Sequence, residues 1–193
     1  MRKSMKYRSV GWLAVAGLVA GALVGPTAGI ASAAPLNGAI WTSLEDGSSV
    51  NANIYDAKED VYLNGGPQNC GNGNGLPDGD YYFQVTDPSG ADLLSTDAIK
   101  FRQVQVVNGV IDGVSGDGNH LEGTTGCNGG TPVQLMPFDD TPNNGGEYSL
   151  DLAPIAAVAA CDGFDENLPF NFLDCNTESK NDNFKVRQAE PTP

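Results

Sequence analysis

The chain has 193 residues, 40% of them hydrophobic, with four cysteines and a net charge of −14. All 24 acidic residues follow residue 34, and six of the ten basic residues oppose them there, which gives this part a charge of −18. Nucleic acids and anionic membranes bind proteins through Lys and Arg, so the charge argues against both as partners.

Residues 1–34 have the three parts of a secretory signal peptide. Four basic residues precede the apolar run Val10–Val24, and Ala31-Ser32-Ala33 has the small-residue pattern of a cleavage site. The apolar run is short for a transmembrane anchor. We predict that residues 1–34 direct secretion, that residues 35–188 form one extracellular domain, and that residues 189–193 are a short disordered tail.

The pattern of the remaining sequence predicts many short strands separated by turn residues, and it contains no convincing amphipathic helix. Residues 155–160 are apolar without a clear period and are interpreted as a helical turn. The glycine-rich stretch 112–130 and the acidic stretch 162–182 are predicted to be loops. The predicted strands are, in chain order, residues 39–44, 50–55, 60–63, 81–86, 98–107, a hairpin partner starting at Val110, 133–138, 148–152, and a last strand with Phe184 and Val186.

The strand 81–86 is the expected centre of the core. Tyr81, Phe83 and Val85 share one face and are predicted to be buried. Tyr82, Gln84 and Thr86 share the other face, where Tyr82 and Gln84 are predicted to be more exposed.

Two further features follow residue 98. The spacing of three between Phe101 and Val104 predicts a bulge or a change of sheet near Arg102-Gln103. Asn108-Gly109 between apolar segments predicts a two-residue hairpin turn. Together these patterns predict a single all-β antiparallel sandwich held by disulfides.

Several motifs resemble known proteins. Leu76-Pro77-x-Gly79-x-Tyr81-x-x-x-Val85, followed by Pro88-x-Gly90, resembles the B-type repeat modules of Gram-positive surface adhesins. This resemblance implies a prealbumin-like (Ig-like) β-sandwich and an adhesin-like role. It also suggests an internal isopeptide crosslink between Lys58 and Asn183. Such a crosslink is promoted by a buried acid expected in the central strand, where this sequence has Val85. A larger set of segments is similar to a group of uncharacterised secreted bacterial proteins: 38–42, 60–67, 76–90, 133–146 and 182–186.

The cysteines agree with export, because four cysteines behind a signal peptide indicate two disulfides. The closest pair is 14 residues apart, which does not fit the short spacing of zinc ligands. Of the three possible connectivities we favour Cys161–Cys175 and Cys70–Cys127, although the sequence leaves the choice open.

No catalytic, cofactor-binding or metal-binding residue is assigned from the sequence. His120, the single histidine, is interpreted as a surface loop residue. The adjacent acids Asp139-Asp140 and Asp165-Glu166 are the candidate pairs for a hydrolase, and both are interpreted as turn carboxylates. A calcium site in the loop 112–122 stays open, although its spacing does not match an EF-hand; its oxygen ligands would come from Asp112, Asp117, Asn119 and Glu122.

We therefore predict a secreted, monomeric, non-enzymatic interaction or surface-associated module with no cofactor. Its partner would be an extracellular protein or glycan, bound by three long loops at one end of the sandwich: residues 64–75, 112–130 and 162–182. A carbohydrate-binding module is the first alternative, and it would expose aromatic side chains in a row, with Trp41, Tyr62 and Tyr82 as candidates. A secreted hydrolase with paired carboxylates is the second.

Overall fold

The structure is a computed structural model that describes residues 36–48, 53–67, 73–175 and 177–187. The predicted signal peptide, the C-terminal tail and Cys70 lie outside these residues. Within them, regular structure is almost entirely β-strand. The helices there are the single-turn α1 at Ile155–Val158 and three 3-10 helices, and none is long and apolar enough to cross a membrane.

The strands form two sheets, which confirms the predicted all-β class. The smaller sheet is antiparallel, with the order β1 Ala39–Ser43, β3 Tyr62–Gly66 and β7 Val133–Gln134. The larger sheet has the order β2 Ile54–Tyr55, β9 Lys180–Val186, β8 Glu147–Pro154, β4 Gly79–Thr86, β5 Gln103–Val107 and β6 Val110–Val114. Its neighbouring strands are antiparallel, except that β2 and β9 run parallel.

The main hydrophobic core is formed by both sheets. Ile40 and Leu63 contribute to it from the smaller sheet. Tyr81, Phe83 and Val85 contribute to it from β4, which confirms the predicted core face of that strand. The sheets also meet at an edge, where the backbone N–H of Thr42 in β1 donates to Asp182 Oδ2 in β9 at 2.8 Å.

The opposite face of β4 is buried too, so the prediction of greater exposure there is wrong. Tyr82 is 3% exposed, and Gln84 and Thr86 are 0% exposed. Residues 155–175, which we call the covering segment, pack over this outer face of the larger sheet. A second apolar cluster results, made of Tyr82, Ile99, Ala153, Val158 and Phe172.

The predicted strand 98–107 is a strand only in its second half. Residues Ile99–Phe101 form a 3-10 helix, and the N–H of Ile99 donates to the carbonyl of Leu168 in the covering segment at 3.0 Å. This helix accounts for the change of face between Phe101 and Val104. The strand irregularity lies further on, between Gln105 and Val106.

The predicted hairpin is confirmed. Strands β5 and β6 pair directly, and Asn108 and Gly109 have φ values of 53° and 83°. A type I′ turn needs positive φ at both central residues, which asparagine and glycine tolerate best. Other boundaries differ from the prediction: β3 begins at Tyr62, β6 extends the hairpin to Val114, and β7 ends at Gln134.

Candidate functional site

A disulfide closes the covering segment. Cys161 and Cys175 are bonded, with Cα atoms 5.9 Å apart, which confirms the predicted local pairing. No cysteine among the described residues is free. The predicted Cys70–Cys127 pairing depends on Cys70, which lies outside the described residues, so it stays a prediction.

Hydrogen bonds hold the covering segment against the larger sheet. Gln84 Nε2 of β4 donates to Asn171 Oδ1 at 2.8 Å, and the N–H of Phe172 donates to Gln84 Oε1 at 3.1 Å. Asn171 Nδ2 donates in turn to the carbonyl of Gly90 at 3.0 Å. The N–H of Lys100 donates to the carbonyl of Glu166 at 3.1 Å. The segment is therefore fixed at residues 166 and 171–172 to β4, to the 3-10 helix Ile99–Phe101 and to the turn at Gly90.

A concavity of about 960 Å³ opens beside this disulfide, lined by residues of the covering segment together with Thr177 and Glu178. We call it the covering-segment concavity. Part of its wall is apolar and comes from Ala157, Pro169 and Phe170. Its volume is at the upper end of the range for ligand sites, roughly 300–1,000 Å³.

Three carboxylates line the concavity: Asp162, Asp174 and Glu178. All three residues are exposed, and the described residues that line the concavity include no basic side chain. None of the ion pairs between described residues includes them. The concavity thus combines a negative field with an apolar wall, and it can accept positively charged groups that also carry apolar surface.

His120 is buried, so its interpretation as a surface residue is wrong. It is 7% exposed, and its ring packs edge-on against Phe83 with centroids 4.8 Å apart. Its Nδ1 lies 2.8 Å from the carbonyl oxygen of Gln134, and its Nε2 lies 3.1 Å from Asp97 Oδ2. The histidine therefore connects three segments that are distant in sequence.

Arg102 completes this buried cluster. Its side chain is fully buried, and its Nε lies 3.5 Å from Asp97 Oδ1. Its Nη1 donates to the carbonyl of Phe83 at 3.3 Å. Burial lowers the pKa of Arg102 to about 10, and the Asp97 carboxylate opposes this shift. In the Asp97–Arg102–His120 cluster the arginine and the histidine are buried and the Asp97 side chain is 14% exposed, so the cluster connects segments of the fold.

Asp151 is another buried polar residue that the sequence did not single out. It lies on the outer face of β8 opposite Gln84 and is 3% exposed. Burial raises its pKa to about 6, although hydrogen bonds with the hydroxyls of Thr86 and Ser149 lower it. The alternation of Tyr148, Leu150 and Leu152 placed Asp151 on a solvent face, and the sequence held no signal that a later segment covers that face.

The aromatic residues suggested for a sugar-binding face are not available for that role. Trp41, Tyr62 and Tyr82 are 1%, 6% and 3% exposed, so they form no exposed row. In the part of the chain that the structure describes, a partly exposed aromatic pair occurs instead in the covering segment, where Phe164 and Phe170 pack edge-to-face with centroids 5.4 Å apart.

One member of each acidic pair suggested for hydrolysis makes a contact within the protein. Asp140 forms an ion pair with Lys58 at 2.7 Å. The Oδ1 of Asp165 accepts the backbone N–H of Asn167 at 2.9 Å, as in an Asx turn.

The residues considered for calcium and for an isopeptide crosslink are not brought together either. Glu122 Oε1 accepts the N–H of Val114 at 2.8 Å, and no metal-binding group of three His, Cys, Asp or Glu occurs among the described residues. Lys58 Nζ donates to the carbonyl of Phe138 at 3.0 Å, whereas Asn183 is exposed on β9, on the opposite face from the buried Phe184.

The described parts of the three long loops make contacts in two places. Asn128 Nδ2 lies 3.4 Å from Asn64 Oδ1, so the first two loops meet at the smaller sheet. The third loop includes much of the covering segment, which packs on the outer face of the larger sheet. The second loop also reaches this side of the larger sheet, where the N–H of Asn119 donates to the carbonyl of Phe101, next to the hydrogen bond between Lys100 and Glu166.

No protein-family model matches the chain, and no curated protein or solved structure is significantly similar to it.

Proposed function

We propose that the protein is a secreted, non-enzymatic β-sandwich module that binds an extracellular partner at the covering-segment concavity. The concavity itself carries the proposal, because it is an open site of about 960 Å³ in a segment that a disulfide and contacts with the larger sheet hold in place. Loops on a rigid scaffold are common binding sites, and fixing them beforehand lowers the entropy lost on binding.

The extracellular location and the finer fold are parts of the same proposal. The Cys161–Cys175 disulfide fits an oxidising compartment and agrees with the predicted signal peptide. The two sheets and the Leu76–Gly90 turn-strand-turn unit support a prealbumin-like sandwich related to surface-adhesin modules. A protein partner is favoured by the carboxylates, while the half-buried Phe170 supports a glycan as the second candidate.

The test compares the mature protein with two variants of equal charge. The concavity variant is Asp162→Asn/Asp174→Asn/Glu178→Gln. The control variant is Glu45→Gln/Glu59→Gln/Asp60→Asn, which neutralises three exposed acids of a second depression, of about 480 Å³. Binding is measured on an array of immobilised extracellular proteins and glycans, which we call the partner array. We expect wild type and control to bind the same partners and the concavity variant to lose them.

Equal binding by all three proteins would contradict the location of the site. Turnover of a bound glycan or protein by the wild type would contradict the non-enzymatic role.

A further inference from the structure

We propose that the covering-segment concavity binds an arginine-bearing segment of an extracellular protein. This inference rests on the proposed function and adds the chemistry of the partner.

The carboxylates are placed on both sides of the disulfide. Asp162 follows Cys161 directly and Asp174 precedes Cys175 directly, and the two cysteine Cα atoms are 5.9 Å apart. Carboxylates that line one concavity attract a bound cation together. Glu178 adds a third negative charge to the same lining.

The apolar wall decides which kind of cation fits. Phe170 is half-buried and held edge-on against Phe164, and Pro169 beside it is exposed. A guanidinium group can pair with carboxylates and stack on an aromatic ring, while its methylene stem packs on apolar surface. A small inorganic cation would use the carboxylates but not this wall, and so the lining favours arginine.

The wall is also fixed before binding. Asn171 lines the concavity, and its side chain is held by Gln84 at 2.8 Å and by the carbonyl of Gly90 at 3.0 Å. The partner therefore meets a surface whose backbone is already ordered, which lowers the entropic cost of association.

Charge alone does not single out this place. The described residues that line the second depression include four acids, Glu45, Asp46, Glu59 and Asp60, and one aromatic residue, Tyr62, which is buried. A cationic peptide attracted only by the overall negative charge would bind both places alike. The control variant defined above removes three charges from the second depression, so it separates the two explanations.

The experiment titrates the mature protein and both variants with the capped peptide Gly-Arg-Arg-Gly. Binding is monitored by NMR chemical shifts at about 0.02 and 0.15 M salt. We expect saturable shifts at the concavity, an affinity that is about tenfold weaker for the concavity variant, and little change for the control. The capped peptide Gly-Gln-Gln-Gly should give no saturable shifts. Unfolding midpoints of both variants should match the wild type.

Three results would overturn this inference: no saturable binding of the arginine peptide, equal weakening in both variants, or saturable binding of a neutral chito-oligosaccharide in its place. The partner array then separates the two proposals. If the concavity variant still loses array partners while the arginine peptide fails to bind, the occupant is wrong but the binding site stands. If array binding is also unchanged, both fail.

Discussion

Gln84 in the centre of β4 and Asn171 in the covering segment share a hydrogen bond of 2.8 Å across 87 residues of sequence. The other end of the Gln84 amide accepts the N–H of Phe172 at 3.1 Å. Both polar atoms of one buried side chain thus bind the covering segment. This arrangement explains why a polar residue occupies the middle of a central strand without exposure to water.

Removing Gln84 should cost more than removing an ordinary polar strand residue. Gln84→Ala leaves the buried Phe172 N–H without its partner and removes one of the hydrogen bonds of the Asn171 side chain, so we expect a loss of about 1–3 kcal/mol in the free energy of unfolding. Phe83→Ala should cost about 3–5 kcal/mol because it leaves a cavity in the main core. Urea denaturation measures both, with Gln105→Ala on the exposed side of β5 as the control. Equal effects of Gln84→Ala and Gln105→Ala would argue against a fixed covering segment.

The disulfide should stabilise the covering segment specifically. We expect the Cys161→Ala/Cys175→Ala variant to lose about 3 kcal/mol, the value for a closed loop of about this length. Residues 162–170 should also become accessible to proteases, because the disulfide no longer joins the two ends of the loop that contains them. Limited proteolysis with mass spectrometry tests this expectation. An unchanged cleavage pattern would show that the sheet contacts suffice without the disulfide.

The buried Asp97–Arg102–His120 cluster should be sensitive to loss of its cation. Arg102→Met leaves the Asp97 carboxylate without its arginine partner, so we expect a loss of about 3–5 kcal/mol. Lys100→Met is the matched control, since Lys100 lies two residues away and its Nζ makes one exposed hydrogen bond to Asn167. Its effect should be within about 0.5 kcal/mol. Similar losses in both variants, measured by urea denaturation, would contradict the assigned contacts.

Asp151 should make the stability depend on pH. Its pKa is about 6 in the folded protein and 3.8 in the reference state, so the folded state holds the proton more tightly. This contribution to stability is complete below about pH 4 and is lost as pH rises through about 6. A shift of about two units corresponds to roughly 3 kcal/mol. Asp151→Asn should therefore remove this pH dependence and be more stable than the wild type near pH 7.5.

Unfolding curves measured from pH 4 to 8 test this expectation. Asp112→Asn, at an exposed position on β6, is the control and should keep the wild-type slope. The same slope in the Asp151→Asn variant would show that Asp151 is not the group responsible.

The sequence predicted the features that depend on local patterns. Alternation identified the core face of β4 and the strand around Leu150, and Asn108-Gly109 identified the hairpin turn, because these signals lie within a few residues. Alternation also placed Tyr82 and Gln84 toward solvent. It could not show that residues about 70 to 90 positions later return to cover them.

The candidate site was predicted only in part for the same reason. The acidic loop and its local disulfide were recognisable from composition and spacing. The burial of His120 depends on Asp97 and Phe83, which come from separate segments, and no local pattern indicates that contact. The stretch 99–107 holds two basic residues, Lys100 and Arg102, and no local pattern distinguishes the buried arginine from the lysine.

The most direct test of the account measures amide hydrogen exchange of the mature protein with and without a partner selected from the array. The account predicts slower exchange on binding within residues 157–178, with little change in the exposed turns of the smaller sheet at residues 44–48 and 123–130. It also predicts that the partner is recovered chemically unchanged. Protection confined to those turns, or cleavage of the partner, would contradict the account.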